Sequence, residues 1–324
     1  MDRFIVITSI NYPTEAVKKW SKIEGWQVLV VADLKTPIDW HYENVKVLTV
    51  AEQETLPFET VKLLPYNHYA RKNLGYLYAI MQGAKFLYET DDDNIPYEFW
   101  PIYYSVNLDA EVSLNSGKFI NAYSHFSDAN VWPRGFPLEA IRQGQVEKTV
   151  SQRVTAPIQQ GLANLDPDVD AIYRLVISQE INFSDNFPLF LALGTYCPFN
   201  SQNTFWYPCS FQYLFLPAYV PSRVTDIWRS YIAQHFLHER NQGVLFCSPS
   251  VFQERNQHNL LDDFNQEIQL YTKTNNLIES LQEYSGKFEY FMKYLSSHNF
   301  FDERDVALFD AWLKDLKFLG LSVI

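Results

Sequence analysis

Cysteine is scarce in this 324-residue chain: Cys197, Cys209 and Cys247 are all it has. An odd count gives no disulfide framework, and the spacing fits no zinc-ligand pattern. A reducing compartment is the simplest setting. Positive charge is short as well. Lys and Arg number 26 against 38 Asp and Glu, for a net charge of -12. That balance excludes the clustered cations that a nucleic-acid partner demands. It does not exclude a phosphate-bearing small molecule, because a metal ion can supply positive charge locally. Long apolar runs are missing too: no window approaches the ~20 residues of a membrane span, and the opening "MDRFIVITSINYP" lacks the pattern of a signal peptide. The expectation is a soluble, cytoplasmic protein without a transmembrane segment. There is no internal repeat or low-complexity tract, and at 47% hydrophobic and 16% aromatic residues the chain has ample material for a packed core.

What is present reads as α/β. "FIVITSI" (Phe4 to Ile10), "WQVLVVADL" and "VKVLTV" (Val45 to Val50) have the β-rich, apolar character of strands covered on both faces. Between them "TEAVKKWSK" is a helix expectation, with Thr14 as N-cap and Val17 and Trp20 on its apolar stripe. In "YNHYARKNLGYLYAIMQGA" (Tyr66 to Ala84), Ala70, Leu74, Leu77, Tyr78 and Met81 recur with helical spacing, and Gly83 marks the stop. Strands alternating with helices over short loops predict a mixed, mostly parallel sheet flanked by helices. In the middle of the chain "KFINAY", "DAIYRLVI" and "QYLFLPAYV" read as further strands. From Asn259 onward the sequence turns amphipathic and helical. The expected organisation is therefore one α/β domain over 1–258 and a helical segment over 259–324 packed on it.

The segment "FLYETDDDN" (Phe86 to Asn94) carries the chemistry. An apolar strand runs into three consecutive aspartates, at the carboxyl end where ligands bind such sheets. Mg²⁺ or Mn²⁺ takes oxygen ligands, commonly one or two carboxylates plus substrate phosphates. On an extended segment Asp91 and Asp93 would project to one side, with Asp92 turned away. The plainer alternative is a solvated acidic turn at Asn94-Ile95-Pro96.

The longer block "YARKNLGYLYAIMQGAKFLYETDDDN" is similar to the corresponding segment of STELLO-type glycosyltransferase-like proteins, and more distantly to the reversibly glycosylated polypeptides, which act as UDP-arabinopyranose mutases. "WPRGFPL" (Trp132 to Leu138), "QQGLANLDPDVDAIYRL" (Gln159 to Leu175), "PFNSQNTFW", "TDIWRSYIAQ" and "RNQHNLLDDFNQE" (Arg255 to Glu267) come next in the family's order, so the resemblance spans roughly residues 4 to 267 and is closer to the STELLO type. It implies a GT-A-like nucleotide-sugar fold, a nucleotide-sugar donor such as a UDP-sugar, and Mn²⁺ or Mg²⁺ bridging its diphosphate. The implied function is metal-dependent transfer of a sugar to an undefined glycan, protein or small-molecule acceptor. A ring-form mutase and a non-catalytic protein that binds a partner, or an oligomer, are the alternatives.

Individual residues take candidate roles on this basis. Asp91 and Asp93 are expected to hold the metal, and Asp92 to contact the ribose or the metal's waters. Asp33 is a ribose or uracil contact, or else a turn residue before Pro37. Thr8 and Ser9 line the base pocket or simply end a strand. Arg71 and Lys72, near the helix start, are diphosphate ligands or exposed helix charges, with Arg71 preferred for its place beside the buried stripe. Arg134 faces the sugar or a phosphate; the resemblance to the mutases supports that placement. Asp226 is a general base or acceptor-orienting group, or the N-cap of "IWRSYIAQHF". Asp166, Asp168 and Asp170 read as a turn entering a strand, with a second acidic site as the alternative. His258 is a third metal ligand or a structural imidazole. Asn200, Ser201 and Asn203 shape the sugar or acceptor pocket, while Trp132, Trp206, Tyr207 and Trp228 are core or pocket wall.

Overall fold

The computed structural model describes residues 1–115, 117–254 and 259–323. Among them eleven strands form one sheet: β1 Arg3–Thr8, β2 Gln27–Val31, β3 Val45–Leu48, β4 Phe86–Thr90, β5 Asn94–Pro96, β6 Asn107–Ser113, β7 Thr149–Thr155, β8 Ile158–Leu165, β9 Leu189–Phe190, β10 Asn203–Trp206 and β11 Val244–Gln253. The helices are α1 Glu15–Trp20, α2 Val50–Glu54, α3 Lys72–Met81, α4 Ala171–Val176, α5 Ser222–His238, α6 Leu260–Glu283, α7 Phe291–Ser297 and α8 Glu303–Phe318. The strand order is β3-β2-β1-β4-β10-β8-β11-β9-β6-β7, with β5 pairing β11. This is the mixed α/β sheet with flanking helices that the alternation predicts.

Register explains why one edge of the sheet collects the polar residues. β1 runs parallel to β2 with Thr8 opposite Val31, and parallel to β4 with Val6 opposite Glu89. Their carboxyl ends therefore finish together. β10 runs antiparallel, Asn203 opposite Thr90, so the residues preceding it arrive at the same edge. β11 runs parallel to β8 and finishes with Gln253 opposite Leu165; it also pairs Asn94 of β5.

Alternation along β1 splits the core into two layers. Phe4 and Val6 pack on one face with Leu29, Leu74 and Leu77; Ile5 and Ile7 pack on the other with Trp20, Trp26 and Trp100. α3 lies unusually close to the sheet at Gly75. A Cβ there would come within 2.5 Å of Val31 Cγ2 and 2.6 Å of Val6 Cγ1, so a larger residue would lift the helix off the strands. α1 is capped by Thr14, whose side chain accepts from the Val17 amide, as its sequence position implies.

Several boundaries differ from expectation. β1 stops at Thr8, not Ile10, and the Tyr66–Ala84 helix resolves into one 3₁₀ turn, Tyr69–Arg71, followed by α3. "DAIYRLVI" is not a strand: Asp170 caps it, accepting from the Tyr173 amide at 2.7 Å, and α4 begins there. "QYLFLPAYV" belongs to a 3₁₀ segment, Pro208–Leu214, and the loop after it, where Pro217 cannot donate to a ladder. "KFINAY" makes only isolated bridges at Phe119 and Asn121 before a 3₁₀ turn.

The terminal helices are tied to the sheet domain. α6 packs along α5 and α4, and α7 packs on α8. α8 offers two buried carboxylates to distant backbone. Asp305 accepts from the Ala218 and Tyr219 amides, and Asp315 accepts from Glu59 and Thr60 at 2.8 and 2.9 Å.

Candidate active site

Asp91 leaves β4 at the collecting edge, and its Oδ1 accepts from Lys72 Nζ at 3.0 Å. Lys72 also donates to the Thr90 carbonyl at 2.7 Å and is fully buried. The charge that reaches the aspartates is thus Lys72. Arg71, the preferred candidate, turns the other way, donating to Gln53 and lying 4.4 Å from the Tyr66 ring centre. The reason is helical geometry: Lys72 opens α3 directly above the end of β4, whereas Arg71 closes the preceding 3₁₀ turn.

Asp92 and Asp93 lie in a turn and not on an extended segment, so the even-odd argument for their direction does not hold. The turn still separates them. Asp92 accepts from Ser9 Oγ and from Asn11 Nδ2 at 3.1 Å, while Asp93 accepts from Gln253 Nε2 at 2.8 Å. Burial, reinforced by Asp93 and Asp226 and opposed by Lys72, pushes the Asp91 carboxyl up to about 7. It sits recessed in an open cleft, where concentrated negative charge favours a proton or a cation.

That cleft has a volume of about 350 Å³ and is walled by the three aspartates, Tyr69, Asn200 and Arg134 among others. Arg134 is buried in a loop held by the rest of the network. Its Nε and Nη2 each donate to Asp168 at 2.7 Å, and its guanidinium lies 3.2 Å from Asp226. Burial works to raise the Asp168 carboxyl, but the Arg134 guanidinium holds it below the ordinary carboxylate range. Asp168 is therefore a fork-matched partner as well as part of the turn read from the sequence. The turn it shares with Asp166 and Asp170 leads into a helix, and Asp170 is the cap.

Asp226 does not cap α5, which starts at Ser222 after Pro221. It stands a turn inside the helix, and its Oδ2 accepts from the amide and hydroxyl of Ser201 at 3.3 Å. The Ser201 hydroxyl is also bonded to Tyr69. Asn200 lines the cleft through a loop fixed by Gln160, which accepts from its amide at 2.9 Å. Asn203 does not reach the cleft. It is fully buried, donating to Leu162 O and Ser250 Oγ and accepting from Tyr88. Gly161 leaves it room, since a Cβ there would meet the Asn203 amide at 2.5 Å. Trp132, Trp206 and Trp228 are likewise interior.

A second cavity, about 240 Å³, opens from the first; Thr8, Tyr69 and Asp92 line both. Ser9, Asp33, His68 and Arg71 complete much of its wall. Asp33 is buried, and its two oxygens accept from the Leu34 and His68 amides at 2.7 and 3.0 Å. His258 lies outside the described residues. Among those described, no three His, Cys, Asp or Glu side chains are arranged as a metal cage. The donor set nevertheless suits Mg²⁺ or Mn²⁺: two recessed carboxylates, with the remaining positions left to phosphate and water.

Sequence reasoning missed the ion pair beneath this floor. Glu89, one residue before Thr90, accepts from Arg229 at 2.9 and 2.7 Å, from Trp206 at 2.9 Å and from Tyr76. A glutamate inside the apolar run "FLYET" was the available signal, because a buried carboxylate requires a partner.

The sheet, its helices and this acidic edge make up a GT-A-like α/β fold. A family model described as STELLO glycosyltransferases matches residues 223–323. Two Arabidopsis thaliana proteins, named "Probable glycosyltransferase STELLO2" and "Probable glycosyltransferase STELLO1", are each 31% identical to it over 98% of this chain. The chain spans 45% of the length of each of these relatives. The chain is of the STELLO type over the region it shares with them. The aspartates lie outside the segment matched by the family model but inside both alignments.

Proposed function

We propose that this chain transfers a sugar from a nucleotide-sugar donor of the UDP class to an acceptor, with Mn²⁺ or Mg²⁺ held at Asp91 and Asp93. The observation that carries the reading is the continuous cleft in which recessed carboxylates on β4 adjoin a cavity lined by Ser9 and Asp33. The smaller cavity has the polar wall a nucleoside needs, and the aspartates stand where its diphosphate would emerge. Once bound, the ion supplies Lewis-acid stabilisation of the leaving diphosphate. Lys72 restrains Asp91 from below and offsets part of its charge. Ser9 and Asn11 fix Asp92 at the junction of the two cavities. Asp226, oriented by Arg134 and Ser201, is placed to accept a hydrogen bond from an acceptor hydroxyl, and Asn200 shapes the wall beside it.

The test is incubation with Mn²⁺ and a panel of UDP-sugars and other nucleotide sugars, with and without candidate acceptors, followed by product analysis. Release of nucleoside diphosphate with a new glycoside, or with free sugar when acceptor is omitted, is expected. A ring-form isomer appearing without acceptor would replace this reading with a mutase. Tight donor binding without turnover in any arm would make the chain a binding protein.

A further inference from the structure

The cleft continues past the aspartates on the side away from Asp33 into a third cavity of about 440 Å³. Arg174 and Gln253 line both it and the central cleft, so the three spaces stand in series. The third is built by the excursion 166–180, which leaves β8 and returns to it. Leu165 and Ile181 close the excursion at its base, exchanging backbone hydrogen bonds of 2.7 and 3.0 Å. Two residues of the cavity wall, Leu165 and Ser178, hold φ of +69° and +46°. Side chains rarely adopt this left-handed conformation, and such departures gather at ligand sites.

The wall chemistry is selective. Asp166, Glu180 and Glu254 face the cavity with one cation, Arg174, which is already paired with Asp166. An anionic ligand would therefore be repelled. Arg174 has its side chain 10% exposed and gives its Nη2 to the Pro167 carbonyl at 2.7 Å, yet its Nε–H is a buried donor without a partner among the described residues. The site thus presents a donor awaiting an acceptor together with the carboxylates of Glu180 and Glu254, which accept from donors. An amine answers only the second demand. A hydroxyl answers both. Pro167, Val169 and Tyr173 add apolar surface on the same wall, suited to the C–H face of a sugar ring.

We infer that this third cavity binds an uncharged, hydroxyl-rich saccharide, presented to the central cleft past Arg174 and Gln253. The inference deepens the transferase reading, on which it rests for the ligand's role as acceptor but not for the binding itself.

Saturation-transfer NMR and calorimetry with a panel of neutral disaccharides (maltose, lactose, cellobiose, gentiobiose, sucrose) test it, with glucuronate and glucosamine as charged probes. Binding of at least one neutral disaccharide is expected, with both charged probes at least tenfold weaker. Gln179→Trp, at the exposed rim of the cavity, should weaken the saccharide at least tenfold while leaving Mn²⁺-dependent UDP binding and the melting temperature unchanged. Failure of every neutral sugar, preference for a charged probe, or indifference to Gln179→Trp overturns the inference. UDP binding without saccharide binding would sink this inference alone. Saccharide binding without UDP binding would instead sink the donor reading.

Discussion

Glu89 and Asp91 show how two acids two residues apart come to opposite tasks. Glu89 faces inward, closed in by Arg229, Tyr76 and Trp206, so its charge is fully partnered. Replacing it with Gln leaves Arg229 buried without a counter-charge. Glu89→Gln should cost about 3–5 kcal/mol of stability, read from urea unfolding. Asp91 is recessed but faces an open cleft, where its charge can serve a ligand. Asp91→Asn and Asp93→Asn should each weaken Mn²⁺-dependent UDP binding at least tenfold, roughly 1.4 kcal/mol, with little change in the melting temperature; unchanged affinity in both would remove the proposed ion site. At this scale the sequence was readable where a residue's meaning is local. Thr14 caps the helix that begins beside it, and the aspartates end the strand that precedes them. It was not readable where meaning depends on a distant partner. Asp168 grips Arg134 from across a long stretch of chain, and no pattern near either residue announces the pair.

Helices α5 and α8 carry predictions of their own. On α5, burial lowers the imidazoles of His235 and His238 to about 4. Their pKa in the fold lies below the ordinary value near 6.5, so the unfolded chain takes up protons first. The stability they confer is complete above about 6.5 and is lost as the pH falls towards 4. The double variant His235→Gln/His238→Gln should therefore show a shallower fall in melting temperature between pH 7 and pH 5 than the parent chain. On α8, Asp315→Ala strands the Glu59 and Thr60 amides, and a loss of about 1–3 kcal/mol is expected, measurable by thermal unfolding. The element level also shows where pattern reading stops. "DAIYRLVI" is rich in β-branched and aromatic residues, which argues for a strand. The Asp170 cap and the packing of α4 on α6 override that preference. The boundary of α5 failed for a related reason. Ser222 to Thr225 look unremarkable as helix, yet Pro221 sets the start and the helix runs on through Asp226.

For the molecule as a whole, the cleft is assembled from nearly the full length of the chain, Thr8 to Gln253. Donor and ion should therefore report on global stability. A UDP-sugar with Mn²⁺ at a hundredfold excess over its dissociation constant should add about 2.7 kcal/mol, seen as a rise in melting temperature that a chelator abolishes. The alternation of strands and helices made the first half of the sheet legible, because its parallel strands keep to chain order locally. The second half was obscure, because β10 inserts between β4 and β8 and its neighbours come from remote segments.

That insertion has a temporal consequence. Four residues, Asn203–Trp206, are the seam joining the two halves of the sheet. During synthesis, the early strands must wait until this short piece has left the ribosome before they can be stitched to the later ones. A half-made protein would thus carry its acidic loop without the opposing wall, unable to engage a donor until the seam is sewn.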